Sequence, residues 1–205
     1  MDALDQVMDT AGSLLRRVDD VLSGLGAPPD HEVWAEIRRV RLLPGDAAQA
    51  VAALRAGDLD EAVPELRADA RGYADIAEAL PPPGSWSGEA ADAYDAARRR
   101  TAEHLSGGPD SLDERLEATA DLADALIDWV GQTRADLARL LAEVLGSTEV
   151  LSLSSDTAID PAATGEVMAA ADVGRRILQT VADSYEVAAD LLQGSADLTT
   201  PARPS

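Results

Sequence analysis

Apolar residues recur along the first part of the chain with the spacing of an amphipathic helix. Between residues 2 and 25 they follow a heptad-like pattern, and acidic residues occupy much of the opposite side. The glycines and prolines of residues 24–29 interrupt the pattern. We therefore predict a long N-terminal helix with a buried stripe. The stripe consists of Leu4, Val7, Met8, Ala11, Leu14, Leu15, Val18, Val21, Leu22 and Leu25.

Shorter helical patterns follow, and each is bounded by residues that start or stop helices. We predict helices at 31–43 and at 47–56, with Asp46 as the cap of the second. A longer helix is predicted to begin at about residue 59 or 63 and to end at Leu80, because Pro64 suits only a first turn.

The stretch Pro81-Pro82-Pro83-Gly84-Ser85-Trp86-Ser87-Gly88 separates this helix from the next. Consecutive prolines end a helix, and glycine permits turn conformations that other residues resist. Helices are predicted on its C-terminal side at 89–105 and 112–146, the latter opened by a capping box at Ser111 and Glu114. Residues 147–159 are predicted to be extended, with a strand-like run at 149–153, before a last helix at 160–192.

These elements predict an all-α fold, an elongated helical bundle built on a long central helical hairpin, with additional N- and C-terminal helices. We treat residues 1–193 as a single bundle, made of N-terminal helices (1–58), the hairpin (59–146) and a C-terminal helix (160–193). Residues 194–205 are predicted to be a disordered tail. The composition agrees with close helix packing, because the chain is 46% hydrophobic but only 3% aromatic and has no phenylalanine.

The charge narrows the classes of partner. The formal net charge is -21 and the sequence contains no lysine, so nucleic acid would be repelled. Such a charge either keeps the helices solvated or complements a basic partner. No apolar run approaches the ~20 residues of a membrane-spanning helix, and the N-terminus lacks the features of a general signal peptide. We expect no nucleic-acid binding and no stable membrane insertion.

No catalytic constellation is visible. The chain lacks cysteine, and His31 and His104, which we interpret as helix-surface residues, have no partner at the spacings of zinc or di-iron sites. The glycine pairs lack a preceding strand, and the serines near residue 154 lack a recognisable base. We predict no catalytic residues, metal or cofactor, and no enzyme activity. The arginine clusters at 38–41 and 98–100 are interpreted as balancing nearby carboxylates.

The three tryptophans differ in their predicted settings. Trp34 and Trp129 lie on apolar helix faces and are expected in the core. Trp86 lies in the central turn, where it either packs against its own hairpin or is offered to a partner as a contact anchor. The sequence leaves both interpretations open.

The residues around this turn resemble the W-x-G motif of the WXG superfamily, the helical-hairpin substrates of the bacterial type VII secretion system. Trp86 and Gly88 match the two named motif positions. Ala90, Ala91 and Tyr94 match the small residues and the aromatic residue that commonly follow them. The plan of helix, turn and helix extends over about residues 59–145, and the extra helices resemble the extended members.

The resemblance implies a non-catalytic secretion substrate, or the partner of one, that acts by helix association. It implies a homodimer or a WXG-type heterodimer that is recognised by a secretion ATPase. The protein would be cytoplasmic before export and then secreted or held at the cell surface. The family's export tail has an acidic residue four positions after a tyrosine; here Tyr185 is followed by Ala189 at that position and by Asp190 one step later, so the tail is degenerate.

A second interpretation is an acidic immunity or chaperone protein that stays in the cytoplasm and binds a basic toxin. It rests on the net charge of -21. Marked salt dependence of partner binding would favour it over association through an apolar face.

Overall fold

The computed structural model describes residues 2–108, 110–153 and 164–199, and every secondary-structure element among them is an α-helix. The all-α class and the helical-bundle character are thereby confirmed for this part of the chain. The helices are α1 (Ala3–Gly24), α2 (Val33–Val40), α3 (Pro44–Ala53), α4 (Gly57–Ala79), α5 (Glu89–Leu105), α6 (Leu112–Leu145), α7 (Thr148–Leu153) and α8 (Thr164–Thr199).

Where the sequence predicts one bundle over 1–193, the residue contacts divide the chain into two compact units. Unit 1 comprises Met1–Arg55 and Trp129–Ala188. Unit 2 comprises Ala56–Asp128 and Ala189–Ser205.

Unit 1 has an extensive apolar core formed by α1, α3, α7 and parts of α2, α6 and α8. The heptad-like stripe of α1 is its centre, since Leu4, Leu15 and Val18 are almost completely buried. Leu141 of α6 and Ile177 of α8 are fully buried in the same cluster. Burial of so many aliphatic side chains is the main source of stability in such a bundle.

Close approach of helices in unit 1 depends on a small residue in α8. A Cβ at Gly174 would lie 3.0 Å from Leu22 Cδ1 and 3.0 Å from Pro44 Cγ. The absence of a side chain therefore lets α8 pack tightly against α1 and the start of α3.

Unit 2 has a much smaller apolar core. Val63, Ala120 and Ala123 are its buried residues, and Leu59, Leu66 and Ile127 pack partly buried against them. A charged contact supplements this core, because Arg67 of α4 donates to the α6 carboxylates of Asp121 (3.0 Å) and Asp124 (2.7 Å). Helices α4 and α5 also contact each other.

Most helix positions agree with the sequence predictions, but two local assignments are wrong. Residues 148–153 form helix α7, not a strand, and Leu153 is buried in the unit 1 core. The N-cap of α3 is Leu43 with Pro44 as the first helical residue, so Asp46 lies inside the first turn and is not the cap.

The ends of α4 and α8 also differ from expectation. Helix α4 begins at Gly57 and contains Pro64 within it. Helix α8 continues through Gly194 to Thr199, where the sequence predicts a disordered tail, and residues 200–205 lie outside the described residues. A single helical glycine costs only about 1 kcal/mol, so it does not by itself end a helix.

Candidate partner-binding site

The connection between α4 and α5 has the local structure that its prolines and glycines dictate. Leu80 has an extended conformation (φ -60°, ψ 120°), which is the preference of a residue that precedes proline. Gly84 and Gly88 have φ values of 68° and 99°, which favour glycine. Gly88 is the N-cap of α5, and its carbonyl oxygen accepts from the amides of Ala91 (2.9 Å) and Asp92 (3.1 Å).

Trp86 lies against Tyr94, which the sequence places one helical turn inside α5. The centroids of the two rings are 5.6 Å apart and their planes are inclined by 47°. The Tyr94 hydroxyl donates to the Pro81 carbonyl oxygen at 2.8 Å, which fixes the ring against the start of the connection. The motif residues Trp86, Gly88 and Tyr94 are therefore brought together as one local cluster.

Trp86 differs from the other two tryptophans in what surrounds it. The indole N–H of Trp34 donates to the Pro28 carbonyl (3.0 Å), and that of Trp129 donates to the Ser184 carbonyl (2.7 Å). Both of those side chains are partly buried, whereas Trp86 is 50% exposed and its indole N–H has no hydrogen-bond acceptor among the described residues. The core expectation is met only in part: Trp34 packs partly buried against the unit 1 core, whereas Trp129, also partly buried, belongs to neither of the two described apolar clusters. Trp86 is the tryptophan left accessible.

The small residues of the motif lie on different sides of α5. Ala91 is the buried residue of this helix, whereas Ala90 is exposed next to Tyr94. Ala97 and Thr101 continue the exposed side, and the Thr101 hydroxyl donates to the Ala97 carbonyl at 3.1 Å. The side of α5 next to Tyr94 thus presents methyl groups and an aromatic ring, with both of its hydroxyls bonded to main-chain oxygens.

The charges around this cluster are predominantly negative. No arginine occurs between Arg71 and Arg98, whereas this interval holds Asp75, Glu78, Glu89, Asp92 and Asp95. Asp95 is engaged by Arg98 (2.9 Å) and by Arg99, and hydrogen bonding to Arg98 lowers the pKa of Asp95. Glu78, Glu89 and Asp92 are exposed, and within the described part of the chain they form no ion pair.

Tyr185 and Asp190, the candidate tail residues, lie in the body of α8. The Tyr185 ring packs edge-on against Trp129 with centroids 5.5 Å apart and is 42% exposed, and Asp190 is exposed. Five helical residues turn through about 500°, which places the two side chains about 140° apart around the helix. They therefore do not share one face, as residues four apart would.

The histidine interpretation needs a correction. His31 precedes α2 and is largely buried; its Nδ1 accepts from the Val33 amide (3.1 Å) and its Nε2 lies 3.3 Å from Asp172 Oδ1. A polar tether between α2 and α8 is therefore its structural role, which helical periodicity alone did not indicate. His104 is exposed on α5, as expected. Among the described residues, no group of three or more histidines and acids is arranged to hold a metal ion.

Arg134 is a buried charged residue that the sequence pattern did not single out. Only 6% exposed, it donates to Asp2 (2.6 Å), Asp5 (2.8 Å) and the carbonyl of Ala52 (2.6 Å). Hydrogen bonding to Arg134 lowers the pKa of both Asp2 and Asp5. Its spacing could have indicated this burial, because Arg134 lies four residues after Val130 and four residues before Ala138, on the buried side of α6.

Asp19 lies on α1, and its side chain reaches the N-terminus of α3. Its carboxylate accepts from the Gly45 amide at 2.9 Å, and a Cβ at Gly45 would collide with it. Burial raises the pKa of Asp19 to about 6, and the nearby charges of Asp46 and Asp20 act in the same direction. The N-terminus of α3, where a helix favours negative charge, is therefore occupied by the Asp19 side chain of the same protein.

No family model matches this chain, and neither a curated protein nor a solved structure matches it. None of the described helices is both long and apolar enough to span a bilayer.

Proposed function

We propose that this chain is a non-catalytic helical protein that acts in type VII secretion, as a WXG-type substrate or as the partner of one. In this proposal α4, the connection around Trp86 and α5 form the W-x-G hairpin, which binds other proteins by helix association. The homodimer or WXG-type heterodimer and the secretion ATPase are its proposed partners, and export from the cytoplasm to the cell surface or medium is its proposed route.

The observation that supports the proposal is the accessibility of Trp86. The indole is half exposed and held in place by Tyr94, while the other two tryptophans direct their N–H groups into their own unit. A fixed, exposed aromatic ring offers contact area at low entropic cost, which is typical of an anchor residue at a protein interface.

Export of the full chain tests the proposal. In a host that carries the secretion ATPase, Trp86→Ala and Gly88→Ala should strongly reduce the secreted fraction without loss of helicity. Val187→Ala is a matched control, since Val187 is 54% exposed but lies on α8. Unchanged export of both the Trp86→Ala and the Gly88→Ala variant, or equal export without the ATPase, would contradict the proposal.

The immunity or chaperone function remains the second candidate, and it rests on the net charge of -21. Arg39 is engaged by Glu36, Asp183 and Glu186, and Arg67 by Asp121 and Asp124, so these guanidinium groups are paired within the chain while the excess of carboxylates remains for a basic partner. Retention of the protein in the cytoplasm, together with salt-sensitive binding of a basic toxin, would support this candidate over secretion.

A further inference from the structure

Trp86 is exposed, and the residues that flank it in the sequence are acidic, so the two features together indicate the chemistry of a partner. We propose that the exposed face of Trp86 binds a partner segment that carries arginine or lysine next to apolar side chains. The inference rests on the proposed role of the Trp86 region in partner binding and adds to it the chemical class of the bound segment.

Trp86 has an accessible ring surface beside its contact with Tyr94. Its ring is 50% exposed, and its indole N–H lacks an acceptor within the described residues. An arginine or lysine that lies over an indole face gains a cation–π contact, because the ring face carries partial negative charge. A main-chain carbonyl of the same segment would accept the free N–H.

Acidic residues flank Trp86 on both sides of the connection. Glu89 follows Trp86 by three residues, so their Cα atoms are at most about 11 Å apart. Glu78 lies in the last turn of α4 and Asp92 in the first turn of α5, and all three carboxylates are exposed and form no ion pair in the described structure. A partner cation at the indole is attracted by these carboxylates, and the attraction falls with added salt because charges beyond the Debye length of about 8 Å are screened.

A basic segment fits this face better than the other classes of partner do. A second copy that presented the same face would bring Glu78, Glu89 and Asp92 towards their own equivalents, which is repulsive, so a homodimer would associate through a different face. Nucleic acid and anionic lipid surfaces are disfavoured by the same charges. A segment with basic and apolar side chains satisfies both the ring and the carboxylates.

Titration of the purified full chain with two synthetic peptides tests the proposal. One peptide alternates leucine pairs with arginine pairs over eight residues, and its twin has glutamate in place of arginine. The arginine peptide should bind at least about tenfold more tightly than the glutamate peptide, and its affinity should fall with added salt.

Variants locate the binding. Trp86→Ala should weaken the arginine peptide about tenfold or more, the loss expected for an aromatic anchor. Glu89→Gln combined with Asp92→Asn should weaken it several-fold and reduce its salt dependence. The controls remove equal charge or equal apolar exposure elsewhere: Glu61→Gln with Glu65→Gln on α4, and Val187→Ala on α8; neither should change affinity more than about twofold.

The outcomes separate this inference from the secretion proposal. Failure of the arginine peptide to bind, equal binding of both peptides, or binding that is unaffected by Trp86→Ala would overturn the inference even if export depends on Trp86. Binding through Trp86 with export unaffected would uphold the inference and reject the secretion role.

Discussion

Units 1 and 2 are both helical but differ in how they use apolar and aromatic side chains. Unit 1 buries an extensive aliphatic cluster and directs the indole N–H groups of Trp34 and Trp129 to its own carbonyl oxygens. Unit 2 buries few large side chains and leaves Trp86 half exposed. The difference indicates that stability is concentrated in unit 1, while unit 2 leaves an aromatic ring accessible.

Matched leucine truncations test the contrast between the two cores. Leu141→Ala in unit 1 should lower the free energy of unfolding by about 3–4 kcal/mol, because its fully buried side chain leaves a cavity. Leu66→Ala in unit 2 should cost less, about 1–2 kcal/mol, because Leu66 is only partly buried. Urea denaturation followed by circular dichroism measures both, and equal losses would contradict the contrast.

Removal of a buried charge tests whether unit 1 also depends on a specific polar network. Arg134→Met should cost about 3 kcal/mol, because Asp2, Asp5 and the carbonyl groups at the end of α3 lose their donor. Arg139→Met is the control, since Arg139 is exposed and pairs only with Asp136 in the described structure; it should change stability by at most about 0.5 kcal/mol. Similar midpoints for the two variants in urea would refute the assigned role of Arg134.

A glycine-to-alanine substitution should change the free energy of unfolding in opposite directions in the connection between α4 and α5 and inside a helix of unit 1. Gly88→Ala should destabilise by about 1–2 kcal/mol, because φ is 99° and alanine resists that conformation. Gly131→Ala should stabilise by up to about 1 kcal/mol, since it lies within α6 and a Cβ there meets no atom within 4 Å. Thermal unfolding of the two variants measures both changes in stability. Stabilisation by Gly88→Ala would contradict the positive φ assigned to residue 88.

The stability of unit 1 should also depend on pH, with a smaller effect than the substitutions above and a direction set by the pKa of Asp19. Asp19 has a folded pKa of about 6 against an ordinary value of 3.8, so the folded state binds its proton more tightly. Its stabilising contribution is complete below about pH 4 and is lost as the pH rises through 6. The lowered pKa values of Asp2 and Asp5 act oppositely, since their contribution is present above pH 4 and is lost on acidification.

Urea midpoints at pH 5 and pH 7.5 measure the Asp19 contribution. Asp19→Asn should lose less stability than the unmodified chain between these values, because asparagine can still accept from the Gly45 amide but does not titrate. Asp9→Asn, an exposed change on the same helix, should leave the pH dependence unchanged. An identical pH response of Asp19→Asn and the unmodified chain would show that Asp19 does not titrate in this range.

Sequence patterns predicted the helices best where one signal was strong and local. The stripe predicted for α1 contains all of that helix's buried residues, but Leu25 at its end is 36% exposed and lies beyond the helix. The break at Gly88 with the following alanines gave α5 from Glu89 to Leu105. Local signals failed where a distant contact decided the outcome. Residues 149–153 include the β-branched Val150 and alternate apolar and polar positions from 151 to 153, as strands often do, yet Leu153 packs in the unit 1 core as part of α7, which contacts α1.

The candidate site was predictable in part for the same reason. Trp86, Gly88 and Tyr94 are close in sequence, so a turn followed by one helical turn brings them together. Whether the indole was buried or exposed depended on which atoms surround it, and the sequence left that question open.

The sequence by itself determined an all-helical chain, the position of the break at residues 81–88 and the strongly acidic surface, because periodicity, proline geometry and charge are local or additive properties. Only the tertiary structure decided that Arg134 is buried against Asp2 and Asp5, that Asp19 reaches the start of α3, and that Trp86 is the accessible tryptophan. The contacts of Arg134 and Asp19 join segments far apart in the chain, and the exposure of Trp86 depends on no distant segment covering it. Helical periodicity carries no information about which segments meet.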